Sequence, residues 1–244
     1  FSEMLSMIEP TAGESVPFLY ADLAYLELWI GAPDRAATNF DHSLRWVDDF
    51  GLREGDAIRH DFSGWRHFYE GAIDAAIADW AAAETVYAEL DQRTWAIDMQ
   101  QLQSWAQLIN GGSDHKTISE ATAEASRLGL RPFVARGAML QAIAAESGEL
   151  LRRALHLADS AGNRVWTYWC LWYGVHRALR SGRPADAKVL YRWAERYRRS
   201  IPLALPAALA AQDDQLREAL GNLRAVRSGI EDADIQALSA LIPD

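Results

Sequence analysis

Hydrophobic and polar positions recur along this 244-residue chain with the spacing of amphipathic helices, and nowhere do they sustain a period-two alternation. Strands are not needed to explain the pattern. Glycine punctuates it. Gly31, Gly71 and Gly111 are spaced by 40 and 40 residues, and Gly148 and Gly182 continue at intervals of 37 and 34. Each follows one helical stretch and precedes another, which predicts five helix-turn-helix units. The glycine sits in the turn, where a helix C-terminus readily takes a left-handed residue. Pro33 and Pro184 fall two residues after their glycine, in a first helical turn where the missing N–H has no acceptor to lose. Ser113 and Asp114 are the matching N-cap candidates in the third unit.

The helix pairs are predicted near 15–30 and 33–50, 54–70 and 72–90, 93–110 and 114–128, 131–146 and 149–161, and 164–181 and 184–199. Further helices are expected at 204–220 and 232–241. The aromatic run 165–173 has strand propensity, but its place in the repeat assigns it to a helix. The repeats near 15–52, 53–92, 93–130, 131–162 and 163–199 make one array over 1–199. Residues 200–244 read as a helical cap or a linker to a further domain.

A second regularity lies in side-chain size. Ala24, Gly64 and Ser104 each stand seven residues before the turn glycine, and Ala36, Ala76 and Ala187 stand five after it. Phe40, Trp80 and Tyr191 follow nine after, and Ser43, Ala83 and Ala194 twelve after. Helices approach within 8–10 Å only where contact residues are small, and a bulky residue then fills the neighbouring gap. The third unit fits with an offset that selects Ile118, Thr122 and Ala125. The fourth selects Ala154, Ala158 and Ala161.

This pattern resembles the tetratricopeptide repeat, most closely over 16–50, 56–90 and 167–199. The resemblance implies an all-α fold, a right-handed superhelical α-solenoid of about five repeats with C-terminal capping helices. The uneven, Trp- and Ala-rich repeats are similar to the helical sensor region of bacterial STAND-type and large LuxR-type (maltose-activator-like) transcriptional regulators. That likeness implies a ligand- or protein-sensing arm whose nucleotide-binding and DNA-binding parts lie elsewhere in the polypeptide. An opening Phe1 in place of Met fits a piece of a longer chain.

Composition narrows the functional classes. Half the residues are hydrophobic, enough for one large domain or one continuous array. No apolar run approaches the roughly 20 residues of a membrane span, and no secretory leader opens the sequence. Cys170 is the single cysteine, so no internal disulfide forms and a reducing cytoplasm is expected. The net charge of −10 is uneven: residues 1–130 carry 22 acids and 8 bases, and residues 131–244 carry 12 and 16. An acidic first half is a poor platform for phosphates, and residues 200–244 offer no basic recognition helix. Direct nucleic-acid binding by this segment is not expected.

In tetratricopeptide arrays the first helix of each pair lines the concave surface, and the position after the small mid-helix residue faces that groove. Here the resemblance selects Tyr25, Trp65, Trp105 and His176. Four residues further on lie Trp29, Tyr69 and Arg180, and four before lie Asp61 and Trp172. An aromatic groove with a few polar groups suits a protein segment, a peptide or a small-molecule effector. The competing reading is that these rings pack against neighbouring helices.

Arg177, Arg180, Arg183, Lys188, Arg192, Arg196, Arg198 and Arg199 form a basic cluster, read as a solvated helix face. His60, Asp61 and His67 lack the spacing and further ligands of a zinc site, so no metal is expected. Residues 111–117 lack the glycine before Lys116 that a phosphate loop requires, and no nucleophile elbow exists. Cys170 and His176 have no orienting third group on their helix. The reading is a non-catalytic sensor or interaction module with no cofactor. The alternative is a scaffold or homo-oligomerisation domain, and an all-helical enzyme without a recognisable motif is a third class.

Overall fold

Twelve α-helices and no strand occur among the described residues of the computed structural model, which are 15–112, 114–221 and 234–244. In chain order they are α1 (Val16–Trp29), α2 (Pro33–Phe50), α3 (Gly55–Glu70), α4 (Ile73–Glu89), α5 (Arg93–Ile109) and α6 (His115–Arg127). Then come α7 (Arg131–Ala144), α8 (Gly148–Ser160), α9 (Arg164–Arg180), α10 (Pro184–Ser200), α11 (Ala207–Leu220) and α12 (Ile235–Ser239). The aromatic run 165–173 lies inside α9, so its repeat position outweighs its strand propensity.

Local chemistry sets the ends. Gly31, Gly71, Gly111 and Gly182 take φ of 76°, 84°, 80° and 69° in the turns. Pro33 and Pro184 open α2 and α10. Asp114 caps α6 by accepting the Thr117 N–H at 3.0 Å, and Asn163 caps α9 through the Trp166 N–H at 3.1 Å. Ser113 lies outside the described residues.

The fourth unit departs from the expected register. Its left-handed turn residue is Glu146, with φ 48°, and Gly148 is instead the first residue of α8. Counted from Glu146, the core stripe is Leu151, Leu155 and Ala158, all buried together with Ala154, whereas Ala161 ends the helix half-buried. A glycine in the helix was mistaken for the glycine of the turn.

The remaining size pattern is realised in packing. Ala24, Gly64, Ser104, Ala36, Ala76, Ala187, Phe40, Trp80, Tyr191, Ser43, Ala83 and Ala194 are all buried. In the third unit Ile118 and Ala125 are buried and Thr122 is half-buried. Neighbouring helices pack as pairs: α1 with α2, α3 with α4, α7 with α8, and α9 with α10. A Cβ placed on Gly64 would lie 2.5–2.9 Å from the Trp80 indole, so the bulky ring of α4 fills the notch left on α3. Phe62 stacks on Phe40 at 3.9 Å between centroids, joining α3 to α2.

The chain forms two compact units. One contains residues up to Met99 together with Ala204–Ala207; the other contains Gln100–Leu203 and Ala208–Asp244. In the first, the Ala204 N–H donates to the Trp29 carbonyl at 2.6 Å. In the second, α11 is pinned by Asp213, only 2% exposed. Its carboxylate accepts from the Trp172 indole at 3.2 Å, the Tyr191 hydroxyl at 3.1 Å and Arg217 Nε at 2.9 Å. A buried carboxylate with three donors is tolerated because its charge is answered on every side.

Gly64→Val overfills the Trp80 notch and is expected to cost about 2 kcal/mol or more in urea unfolding. An unchanged midpoint would show that α3 and α4 are not in close contact there. Asp213→Ala strands two buried donors and an arginine, with an expected loss of about 3 kcal/mol. Thermal melts followed by Trp fluorescence would read it, and a loss below about 1 kcal/mol would remove Asp213 as the anchor of α11.

Candidate binding site

Residues four apart on a helix share a face. This places Tyr25 and Trp29 together on α1, and Asp61, Trp65 and Tyr69 together on α3. The two helices pack against each other within the first unit. The Tyr25 hydroxyl donates to Asp61 Oδ2 at 2.9 Å. Trp29 meets Trp65 edge-on at 5.7 Å, and Trp65 lies 6.3 Å from Tyr69. Five of the nine residues selected from sequence therefore form one continuous cluster.

The cluster is graded in depth. Asp61 and Trp65 are buried at 4% and 8% exposure, while Tyr25, Trp29 and Tyr69 are half-buried. Burial, followed by the Asp61 charge, drives the Tyr25 hydroxyl well above its ordinary pKa, so it stays a neutral donor. The Trp29 indole N–H is buried and meets no acceptor among the described residues. Such a face combines ring surface with the fixed Tyr25–Asp61 pair, the combination that orients a ligand.

The other four residues lie in the second unit and behave differently. Trp105 is buried against Trp166 and Trp169, at 5.6 and 5.2 Å, and its indole donates to the Tyr173 hydroxyl at 3.1 Å. Trp172 is buried and spends its N–H on Asp213. Both are core rings here, as the packing alternative has it. His176 rests edge-on against Trp172 at 4.2 Å, and Arg180 is exposed, 3.9 Å from Glu146.

The basic cluster is largely matched by carboxylates. Arg183 pairs with Asp186 at 2.6 Å, Arg198 with Glu195 at 2.6 Å, and Arg199 with the same Glu195 at 3.8 Å. Arg196 sits 4.6 Å over the Trp193 ring. These two residues and Arg164 help line an open cavity of about 370 Å³ beside α9 and α10. Sequence reading passed over it because its wall is gathered from separate helices.

His60 and His67, seven residues apart, converge on one carboxylate. Their Nδ1 atoms lie 3.1 and 2.8 Å from the two oxygens of Asp79 on α4. Nothing in the sequence linked Asp79 to them, since the partner comes from the next helix. No group of three or more His, Cys, Asp or Glu suited to a metal occurs among the described residues. Cys170 is fully buried, and burial pushes its thiol far above the reactive range. Among the described residues no helix is long and apolar enough to cross a membrane.

Neither a protein-family model, nor a curated protein, nor a solved structure matches this chain.

His176 supplies a pH test. Burial, reinforced by the Arg180 charge, lowers its pKa from the usual 6.5 to about 4. The unfolded chain therefore binds a proton, below about pH 6.5, that the folded chain refuses. Stability is full above that pH and declines towards pH 4, by an amount on the order of 1–3 kcal/mol. Chemical denaturation of the parent and of His176→Gln at pH 7.5, 5.5 and 4.5 should show a smaller decline in the variant. Parallel declines would mean that His176 titrates normally.

Proposed function

We propose that this chain is a non-catalytic ligand- or protein-binding module built from tetratricopeptide-like repeats wound as a right-handed α-solenoid. In this reading it serves as a sensor arm of a larger bacterial transcriptional regulator, working in the cytoplasm. The observation that carries the binding reading is the α1–α3 cluster: Tyr25, Trp29 and Tyr69 half-buried around the Tyr25–Asp61 hydrogen bond. A buried acid that fixes a tyrosine hydroxyl gives the face a defined polar point among rings, suited to a peptide or a small polar effector. The buried size pattern of the first, second and fifth predicted repeats supports the repeat assignment.

A second reading, a scaffold or homo-oligomerisation domain, has its own support. Helix α1 and its C-cap Ile30 leave Phe18, Leu19, Leu26 and Ile30 between 36% and 46% exposed. Exposed apolar side chains of this kind favour association with a second copy.

A thermal-shift screen of peptides and small polar metabolites tests the binding reading. A confirmed hit should lose about tenfold or more in affinity with Tyr69→Ala, while the melting temperature of that variant stays near the parent's. Equal affinity in the folded variant would remove the α1–α3 face. Concentration-dependent sedimentation that Leu26→Glu abolishes would move the function to the scaffold reading. Turnover of any substrate, lost on one acid-to-amide change, would overturn the non-catalytic assignment.

A further inference from the structure

Residues 234–244 fold back onto α8 and α9 within the second unit, in a manner that explains two glycines. Asp234 caps α12 by accepting the Ala237 N–H at 2.8 Å, and α12 packs against α8. Leu238 and Ile242 are each 1% exposed. Past α12 the chain runs across both helices. A Cβ on Gly148 would lie 1.7 Å from the Pro243 carbonyl oxygen, and one on Gly174 would lie 3.1 Å from the Ile242 side chain. Both glycines clear a path for another stretch of chain.

The polar contacts read the main chain. Arg152 donates to the Ile242 carbonyl at 2.6 Å and also holds the Asp244 carboxylate. Arg177 Nε donates to the next carbonyl, that of Pro243, at 2.8 Å. His156 Nε2 lies 3.1 Å from Ser239 Oγ, whose hydroxyl donates onward to the Gln236 carbonyl. Two successive carbonyls are thus each gripped by a separate arginine, the aliphatic side chain before the proline is buried, and the acid after it is ion-paired. Peptide-recognition sites are built in this way, with main-chain bonds for grip and one pocket for selectivity.

We propose that the α8–α9 groove is a recognition site for a short protein segment in which a helical turn is followed by an aliphatic–proline–acidic sequence. Residues 234–244 are its occupant in cis, and a partner protein carrying a segment of this chemistry competes with them. The proline fits because its position needs no N–H donor. The arginine pair favours an acid after the proline and disfavours a lysine or arginine there. A tethered occupant is present at high effective concentration, so it sets the threshold that an outside partner must exceed. The proposal uses none of the α1–α3 residues, and its failure leaves the reading of that face as it was.

The probe is a fluorescein-labelled synthetic peptide with the sequence of residues 234–244, titrated against the full chain by fluorescence anisotropy. Ile242→Asp releases the cis segment without altering the groove, and the peptide should bind this variant about tenfold or more tighter than the parent. Adding Gly148→Ala should abolish that binding, since the new methyl occupies the site of the Pro243 carbonyl while alanine suits the helix. A peptide ending in Lys in place of Asp should also fail. No saturable binding to folded Ile242→Asp protein, or binding indifferent to Gly148→Ala, overturns the proposal. If Ile242→Asp does not fold, hydrogen exchange of the parent decides. Amides 238–242 that exchange well ahead of the α8 and α9 core support a displaceable segment, and exchange only with global unfolding overturns it. A concentration-dependent dimer of the parent that Gly148→Ala dissolves would assign the groove to a second copy and overturn the partner claim.

Discussion

The distance between paired helices is set by the smallest residue at their crossing, and the rest of this structure depends on that constraint. Gly64 and Trp80 show it most directly. Removing one side chain from α3 creates a notch, and the indole of α4 occupies it at a separation that even a methyl group would violate. Large buried rings require such notches, because a helix with bulky residues on every turn cannot approach its neighbour closely enough to exclude water. The alanines at 36, 76 and 187 and the aromatics at 40, 80 and 191 divide this labour in three repeats. Within each such helix pair, stability then comes from local contacts across the hairpin.

Because the size pattern is local, most of the fold could be read from the chain. Turn glycines, helix ends and the buried stripes of α2, α4 and α10 follow from spacing alone. The failures have a common physical origin. Glycine serves both where φ must be positive and where another backbone comes close, and a sequence records only that glycine is present. Gly148 belongs to the second kind, and Glu146, a residue with no special affinity for the left-handed region, takes the turn. Aromatics carry the same ambiguity. Trp65 and Trp105 occupy equivalent repeat positions, yet one borders a half-exposed face while the other is enclosed by Trp166 and Trp169. Periodicity identifies which side of its helix a ring occupies. What covers that side depends on helices far along the chain.

Acids that bind across helices, two of them buried, are the other feature that spacing hides. Asp61, Asp79 and Asp213 each hold donors from another helix: Tyr25 for Asp61, His60 and His67 for Asp79, and Trp172 and Tyr191 for Asp213, which also binds Arg217 of its own helix. A carboxylate away from water is stable only when its charge is met by hydrogen bonds or cations, so each of these acids fixes the relative placement of at least two helices. Hydrophobic matching alone tolerates small slips between helices. A carboxylate with directed partners does not, and this gives the helix pairs a definite register beyond what shape complementarity supplies.

Ion pairing also limits what the basic second half can bind. Formal charge suggests a cationic patch, but Arg183, Arg198 and Arg199 already face Asp186 or Glu195, and a guanidinium bound to a carboxylate is a poor receptor for a further anion. Arg177 differs, since it donates to the main-chain carbonyls of Pro243 and Glu146. A carbonyl satisfies the geometry of an arginine without cancelling its charge, so Arg177 keeps its electrostatic preference while being structurally committed. Arg152 combines the two modes, with one bond to the Ile242 carbonyl and an ion pair to Asp244. In both cases charge is placed to hold one stretch of chain against another.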